Sequence, residues 1–413
     1  MRTKINRFIS ALMFLSFGAG CSAGRFQTES ISYKTASDPT LTEPPLTTTI
    51  SVLNSTNIPD QDVEKKFTYF LDQAAIDQYC LEFPMLTIYK AKDIGDQFYV
   101  GVLEQNNISL VSPEDGGLYP IFTPEFSQGH LLMIDYEYPW YGYIMVDSPN
   151  GLGDWNFHIV NLEDGSNTII ANKELYNSVP LHVYSSIDSG ILYLSTSTFK
   201  DNFAINSSSV YAIDLKTNKA ALLIDNQDMD TFMSVISASN GYLLIENDPP
   251  KDQPTLHISL FDIASKAWID LPQEYPASMP SMEYPYLIWK NSNRFEEPFS
   301  FTVFNMDTGV SVVRNITGRD AFDPIISNGF AIVQASTGKD RSTNSVILYS
   351  LDGWEVYAIK IGIDNIFAAD AYIDHGNVIF NFRETANFSD FSSYLCKIPL
   401  DTVISGSLVG IED

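Results

Sequence analysis

A short polar turn recurs along this chain at a nearly constant interval, and a fixed period of this size restricts the fold more than any local motif does. The turn is Asp115-Gly116, Asp164-Gly165, Thr217-Asn218, Ser265-Lys266, Thr308-Gly309, Asp352-Gly353 and Asp401-Thr402, in steps of 43 to 53 residues. A second marker, the turn ahead of an apolar run, falls at Gly95, Trp140, Gly190, Gly241, Pro285, Gly329 and Gly376, in steps of 44 to 51. Two independent rulers give seven units.

Each unit reads as four strands. Runs such as GYLLIEN, HISLFDI, FAIVQAS and VILYSL are β-branched and aromatic and are bounded by turn signals. No stretch of the domain sustains a 3.6-residue apolar period, a short helix near Val63 to Tyr79 excepted. Four strands per repeat of 43 to 53 residues match the blade of a β-propeller. One blade cannot bury both faces of its sheet, so the units must stack around a ring. The expected fold is all-β, a seven-bladed β-propeller, with six or eight blades as the alternatives. Paired β-sandwiches would not explain a single period. The segments SASNGYLLIE, IISNGFAIVQ and IDSGILYLS resemble the strand turns of TolB-type and WD40-like propellers, although the Pro-Asp of that pattern is replaced here. The resemblance implies an architecture and carries no function, since propellers serve as enzymes, scaffolds and receptors.

The amino end supplies the cellular expectation. Met1 to Arg7 carries Arg2, Lys4 and Arg7 and no acid, and the apolar run from Phe8 to Gly20 follows; this is the layout of a secretory signal peptide. A helix over that run spans about 20 Å, short of the roughly 30 Å of a bilayer core. Gly18-Ala19-Gly20-Cys21 then resembles the lipobox of bacterial lipoproteins. That resemblance implies cleavage before Cys21 and acyl chains, palmitate among them, on its thiol and amino group, enough for stable anchoring. Gly18 stands where an aliphatic residue is usual, which leaves ordinary cleavage after Ala23 as the alternative. Thr35 to Thr49 is dominated by Ser, Thr and Pro and cannot bury enough surface to fold. The organisation expected is a signal peptide over 1–20, a lipidated cysteine with a flexible tether over 21–60, and a propeller over 61–413, exported and held at the cell or outer membrane, facing the periplasm or the exterior.

The formal charge of −27 becomes more negative once the signal peptide is removed. With no Lys/Arg cluster to neutralise phosphates, nucleic acid is excluded as a partner. Asp225-Asn226-Gln227-Asp228-Met229-Asp230 faintly resembles a Ca²⁺ loop but lacks its glycine and distal glutamate; no other cofactor is expected. The five histidines lie in different units without metal spacing, and there is no GxSxG elbow. Catalytic residues are therefore not assigned.

Two cysteines follow Cys21: Cys80 ahead of the first repeat and Cys396 inside the last. In an oxidising compartment they can pair across the seam where a ring closes, or remain two buried thiols. The connections between second and third strands are long and dissimilar, and in a propeller they share one face. They carry Trp155, Lys200, Phe203, Arg294, Phe295, Lys339, Arg341 and Phe388, an aromatic and basic set in an acidic chain and the candidate binding face. The segment Asp135 to Tyr143, DYEYPWYGY, is dense enough in aromatics to stack on a sugar or grip a peptide, although core packing is the favoured reading. The expectation for function is a monomeric, membrane-tethered module that binds an envelope or extracellular protein, peptide or glycan. The alternative is a glycan-active hydrolase or lyase with an acidic site in the central channel.

Overall fold

The computed structural model describes residues 66–406 except 85, 87, 95–96, 103–106, 123–129, 147–153, 174–182, 200–204, 228–231, 249–255, 274–275, 293–299, 316–319, 337–343, 363–365 and 388–389. Among these residues the strands form seven separate sheets, the blades of a seven-bladed β-propeller. In chain order the strands of each blade are named a to d. Blade 1 has Ile88–Ile94, Gln97–Val102, Asn107–Val111 and Leu118–Phe122, and blade 2 has His130–Glu137, Trp140–Val146, Trp155–Asn161 and Asn167–Asn172. Blade 3 has Tyr184–Asp188, Ile191–Phe199, Ile205–Asp214 and Lys219–Gln227, and blade 4 has Phe232–Ser239, Tyr242–Asp248, His257–Asp262 and Ala267–Ile269. Blade 5 has Ser278–Glu283, Tyr286–Lys290, Ser300–Asn305 and Val310–Asn315, and blade 6 has Asp320–Ser327, Phe330–Ser336, Asn344–Ser350 and Val356–Ile361. Blade 7 takes Ile366–Asp374, Asn377–Asn387 and Asp390–Pro399 from the end of the chain.

Neighbouring blades meet mainly through their a strands, which therefore line the axis. Strands a to d are antiparallel, so the a–b and c–d turns share one face of the ring and the long b–c and d–a connections share the other. The buried apolar residues fall into seven clusters, and each lies in one seam between adjacent blades. No blade is covered on both faces without its neighbours, and this is why the repeat must close.

Most a–b turns are two residues long with both residues left-handed: φ is 54° and 74° at Ser189-Gly190, 50° and 84° at Asn240-Gly241, and 49° and 77° at Asn328-Gly329. That mirror-image turn matches the twist of the strands it joins. Tyr138-Pro139 and Tyr284-Pro285 make the equivalent turns in blades 2 and 5 with cis peptide bonds. A Cβ added at Gly241 would meet nothing within 4 Å. Gly241→Ala therefore isolates the backbone requirement and is expected to lower stability by about 1–2 kcal/mol in urea denaturation, although no clash is created.

The ring is closed by both ends of the described chain. β1 (Lys66–Leu71) adds a fifth strand to blade 6, parallel to its strand d, with Lys66 opposite Val356 and Leu71 opposite Ile361. α1 (Gln73–Tyr79) follows, with the Asp72 carboxylate accepting the Ala75 N–H at 2.9 Å as its N-cap. β2 (Cys80–Pro84) then supplies the missing strand d of blade 7, antiparallel to Asp390–Pro399. Cys80 lies opposite Cys396, and a disulfide joins them with a Cα–Cα distance of 4.1 Å across a sequence separation of 316 residues.

Two elements differ from the sequence expectation. The helix anticipated near Val63 to Tyr79 is a strand and then a helix, because the aromatic KFTYFL pairs with blade 6. Asp401-Thr402 is no hairpin turn. It lies inside α2 (Leu400–Ile404), whose Val403 is fully buried in the seam between blades 6 and 7, with Leu400 and Ile404 packed alongside. The blade's last strand comes instead from the region ahead of the first repeat.

Candidate functional site

The polar chemistry of the ring lies where blades meet. Strand a carries a β-bulge in six blades, between Tyr89 and Ala91, Leu131 and Ile134, Val235 and Ser237, Ser278 and Ser281, Phe322 and Ile325, and Ala368 and Asp370. A bulge takes backbone groups out of the ladder, and these need partners when buried. At three of these junctions the fifth residue of the preceding blade's strand b bonds backbone at or beside the bulge. Ser195 Oγ accepts the Val235 N–H at 3.1 Å, and Glu246 Oε2 accepts that of Met279, itself at φ 52°, at 2.9 Å. Asn381 Nδ2 donates to the Ile88 carbonyl at 3.5 Å. Lys290 and Gln334 hold the same position in blades 5 and 6 and are also buried. Ser195, Glu246, Lys290, Gln334 and Asn381 thus form a buried polar ring one strand out from the axis. Blades 1 and 2 depart from it, with Gly101 and Ile144 at this place.

A second set lies at the short-turn face. The last residue of strand a reaches the next blade's turn. The Glu137 carboxylate accepts the N–H groups of Ser189 at 2.7 Å and Gly190 at 2.9 Å, and Glu283 accepts that of Asn328 at 3.0 and 3.1 Å. Asp188 binds the backbone of Asn240 and Gly241 in the same way; burial, then the neighbouring Glu137 carboxylate, push its pKa up. Ser239 Oγ accepts the Tyr284 N–H at 3.2 Å in blade 4. Both sets pin one blade to the next. The sequence shows a trace of each: a polar residue ending an apolar run, as in YLLIE, YLIWK and FAIVQ, and an acidic or hydroxyl residue just before the two-residue turn.

In blade 2, His158 stacks on Tyr143 with ring centroids 4.9 Å apart, and its Nδ1 bonds Asn167 Oδ1 at 3.3 Å. Burial pulls the His158 pKa below 6.5, against the weaker opposing pull of Asn167. As pH falls below 6.5 the unfolded chain takes up this proton before the folded one does, so this contribution to stability falls with pH. His158→Phe is expected to flatten the pH dependence of the denaturation midpoint between about pH 5 and 7.

The residues expected to form a binding face are placed as follows. Trp155 does not lie on that face. It opens strand c of blade 2 and is 1% exposed, packed in the seam with blade 3. Its neighbour Asp154 is the exposed residue, bonded to Lys173 at 2.8 Å. Lys200, Phe203, Arg294, Phe295, Lys339, Arg341 and Phe388 lie outside the described residues, as does Cys21. The structure brings Cys80 and Cys396 together. Of the DYEYPWYGY segment, Tyr141 and Tyr143 are buried against blade 1, and Tyr138 is 49% exposed. Asp225 belongs to strand d of blade 3 and accepts the Ser209 hydroxyl, whereas 228–230 lie outside the described residues. Among the described residues no three His, Cys, Asp or Glu side chains gather as a metal site, and no helix is long and apolar enough to cross a membrane.

Seven sheets around one axis, six of four strands and one of five, define a β-propeller protein. No protein-family model matches the sequence, and no curated protein matches it. Solved structures share the fold at very low identity. The β-propeller domain of the trilobed protease from Pyrococcus furiosus is 10% identical, with a TM-score of 0.52 over 79% of this chain and 100% of that one. A prolyl endopeptidase is 9% identical, with a TM-score of 0.56 over 79% of this chain and 48% of that one. TolB from Acinetobacter baumannii is 11% identical, with a TM-score of 0.42 over 64% of this chain and 61% of that one. The chain therefore spans less than two thirds of TolB and about half of the endopeptidase.

Proposed function

We propose that the chain is an exported, membrane-tethered lipoprotein whose propeller is a binding or scaffold module for an envelope or extracellular protein, peptide or glycan. The observation that carries this reading is where the chain joins the ring. Lys66 stands opposite Val356, immediately after the c–d turn of blade 6. Lys66, the first described residue, therefore stands at the short-turn face, whereas the long b–c connections join strand ends on the opposite face. A tether from a lipid on Cys21 would hold the first face toward the membrane and present Lys200, Phe203, Arg294, Phe295, Lys339, Arg341 and Phe388 outward. Exposed Glu114, Asp115, Glu163, Asp164, Asp307 and Asp352 make the short-turn face acidic, which favours standing off an anionic bilayer over lying on it.

The alternative, a hydrolase or lyase with carboxylates in the channel, is less well supported. Glu137, Asp188 and Glu283 stand at the right level for such a role, but they bind turn amides. A photo-crosslinking residue at Arg341, compared with one at Asp352 in the full-length chain in producing cells, tests the reading. A discrete adduct from position 341, weakened by Arg294→Glu and missing from position 352, is expected. Equal labelling from both positions, or none from 341, would contradict it.

A further inference from the structure

The seam between blades 1 and 2 differs from the others in a way that points to a ligand. Tyr136 pairs across strands with Tyr141, and Tyr143 with His158, so all four side chains leave the same face of blade 2. That face packs on Tyr99, Leu110 and Ile121 of blade 1. Tyr141 is 1% exposed and His158 7%. Yet Tyr136 Oη, Tyr141 Oη and His158 Nε2 are inaccessible atoms with no hydrogen-bond partner among the described residues. Each, if left bare, would carry the full cost of losing water. In blades 3, 4 and 7 the fifth residue of strand b reaches across to the neighbouring backbone; in blade 1 it is Gly101, with no side chain to do so.

The atoms also define what would fit. Asn167 Oδ1 can only accept, so the proton of the neutral imidazole is on Nδ1 and Nε2 presents a lone pair. A partner must donate to Nε2. The phenols can both donate and accept, and burial above all, with Tyr99 and the Asp374 carboxylate acting in the same direction, disfavours an anion at Tyr136. We infer that this seam binds small uncharged hydroxyl compounds, water or a short polyol, at its bare atoms: a donor to His158 Nε2, and a partner for the phenols of Tyr136 and Tyr141.

The test is a crystal structure of the mature chain together with thermal melts of Tyr136→Phe and Tyr141→Phe, substitutions that keep the rings. The inference expects a density peak about 2.7–3.2 Å from Tyr141 Oη or His158 Nε2 and a lower Tm in both variants. Glycerol separates the sources. A saturable rise in Tm that Tyr141→Phe abolishes identifies a polyol, and a peak present without any such rise identifies water. An empty seam with both variants melting above the parent, as removal of bare buried hydroxyls would give, overturns the inference.

Discussion

Trp155→Ala is expected to cost about 3–5 kcal/mol, the range for losing a fully buried aromatic side chain. Trp155 stands at the end of a long connection, next to exposed Asp154, yet its ring fills the seam between blades 2 and 3 with Ile144, Val146, Phe157, Ile187 and Leu192. Nothing nearby can collapse into the space, since both sheets are fixed by their own ladders and by the Glu137 bonds to Ser189 and Gly190. Urea denaturation should show the midpoint falling sharply, with Trp155→Phe recovering a large part. A surface tryptophan would lose almost nothing on either substitution.

Breaking the bridge should have the second largest effect. Cys80→Ala with Cys396→Ala is expected to cost about 2–5 kcal/mol, because the bond closes a loop of nearly the whole ring in the unfolded chain. Cys396 is fully buried and Cys80 partly so, and alanine leaves no polar atom in the gap. A reductant supplies the control: it should bring the parent down to the stability of the double variant and leave the variant unchanged. The bridge lies on the blade 6 side of blade 7, but it holds β2, whose Leu81 and Phe83 pack in the seam with blade 1; across that seam Tyr372 Oη donates to the Ala91 carbonyl, Ser393 Oγ donates to that of Leu86 and the Lys397 ammonium lies 5.2 Å from the Phe98 ring centre. Its loss should therefore open the ring between blades 7 and 1 first, and hydrogen exchange should report this in Ile88–Ile94 before other a strands.

The repeat was legible because a two-residue turn between twisted strands demands left-handed backbone, which Asn240-Gly241 and Asn328-Gly329 announce in the sequence. What stayed hidden depends on partners far along the chain. KFTYFL has no local sign that it will lie beside Val356–Ile361, and LDTVI follows a strand in the place where six earlier units turn into another. The polar ring escaped for the same reason. Glu246 ending an apolar strand reads as an exposed strand end until the bulge at Met279 is set against it. Trp155 reads as part of the connection because Asp154 and Trp155 straddle the boundary between connection and strand. The residues expected to bind a partner, Arg294 and Arg341 among them, come from sequence alone, and what the structure adds to the functional reading is direction.

That direction is open to measurement. The lipidated full-length chain, with a fluorophore at Asp352→Cys in one sample and at His257→Cys in another, would be reconstituted in vesicles containing a quencher attached to lipid headgroups. Asp352 and His257 are both exposed and stand at opposite faces, about 20 Å apart along the strands for six residues at ~3.3 Å each. Stronger quenching at position 352 is the predicted result; equal quenching at both positions or stronger quenching at 257 would contradict a propeller tethered with its short-turn face toward the membrane.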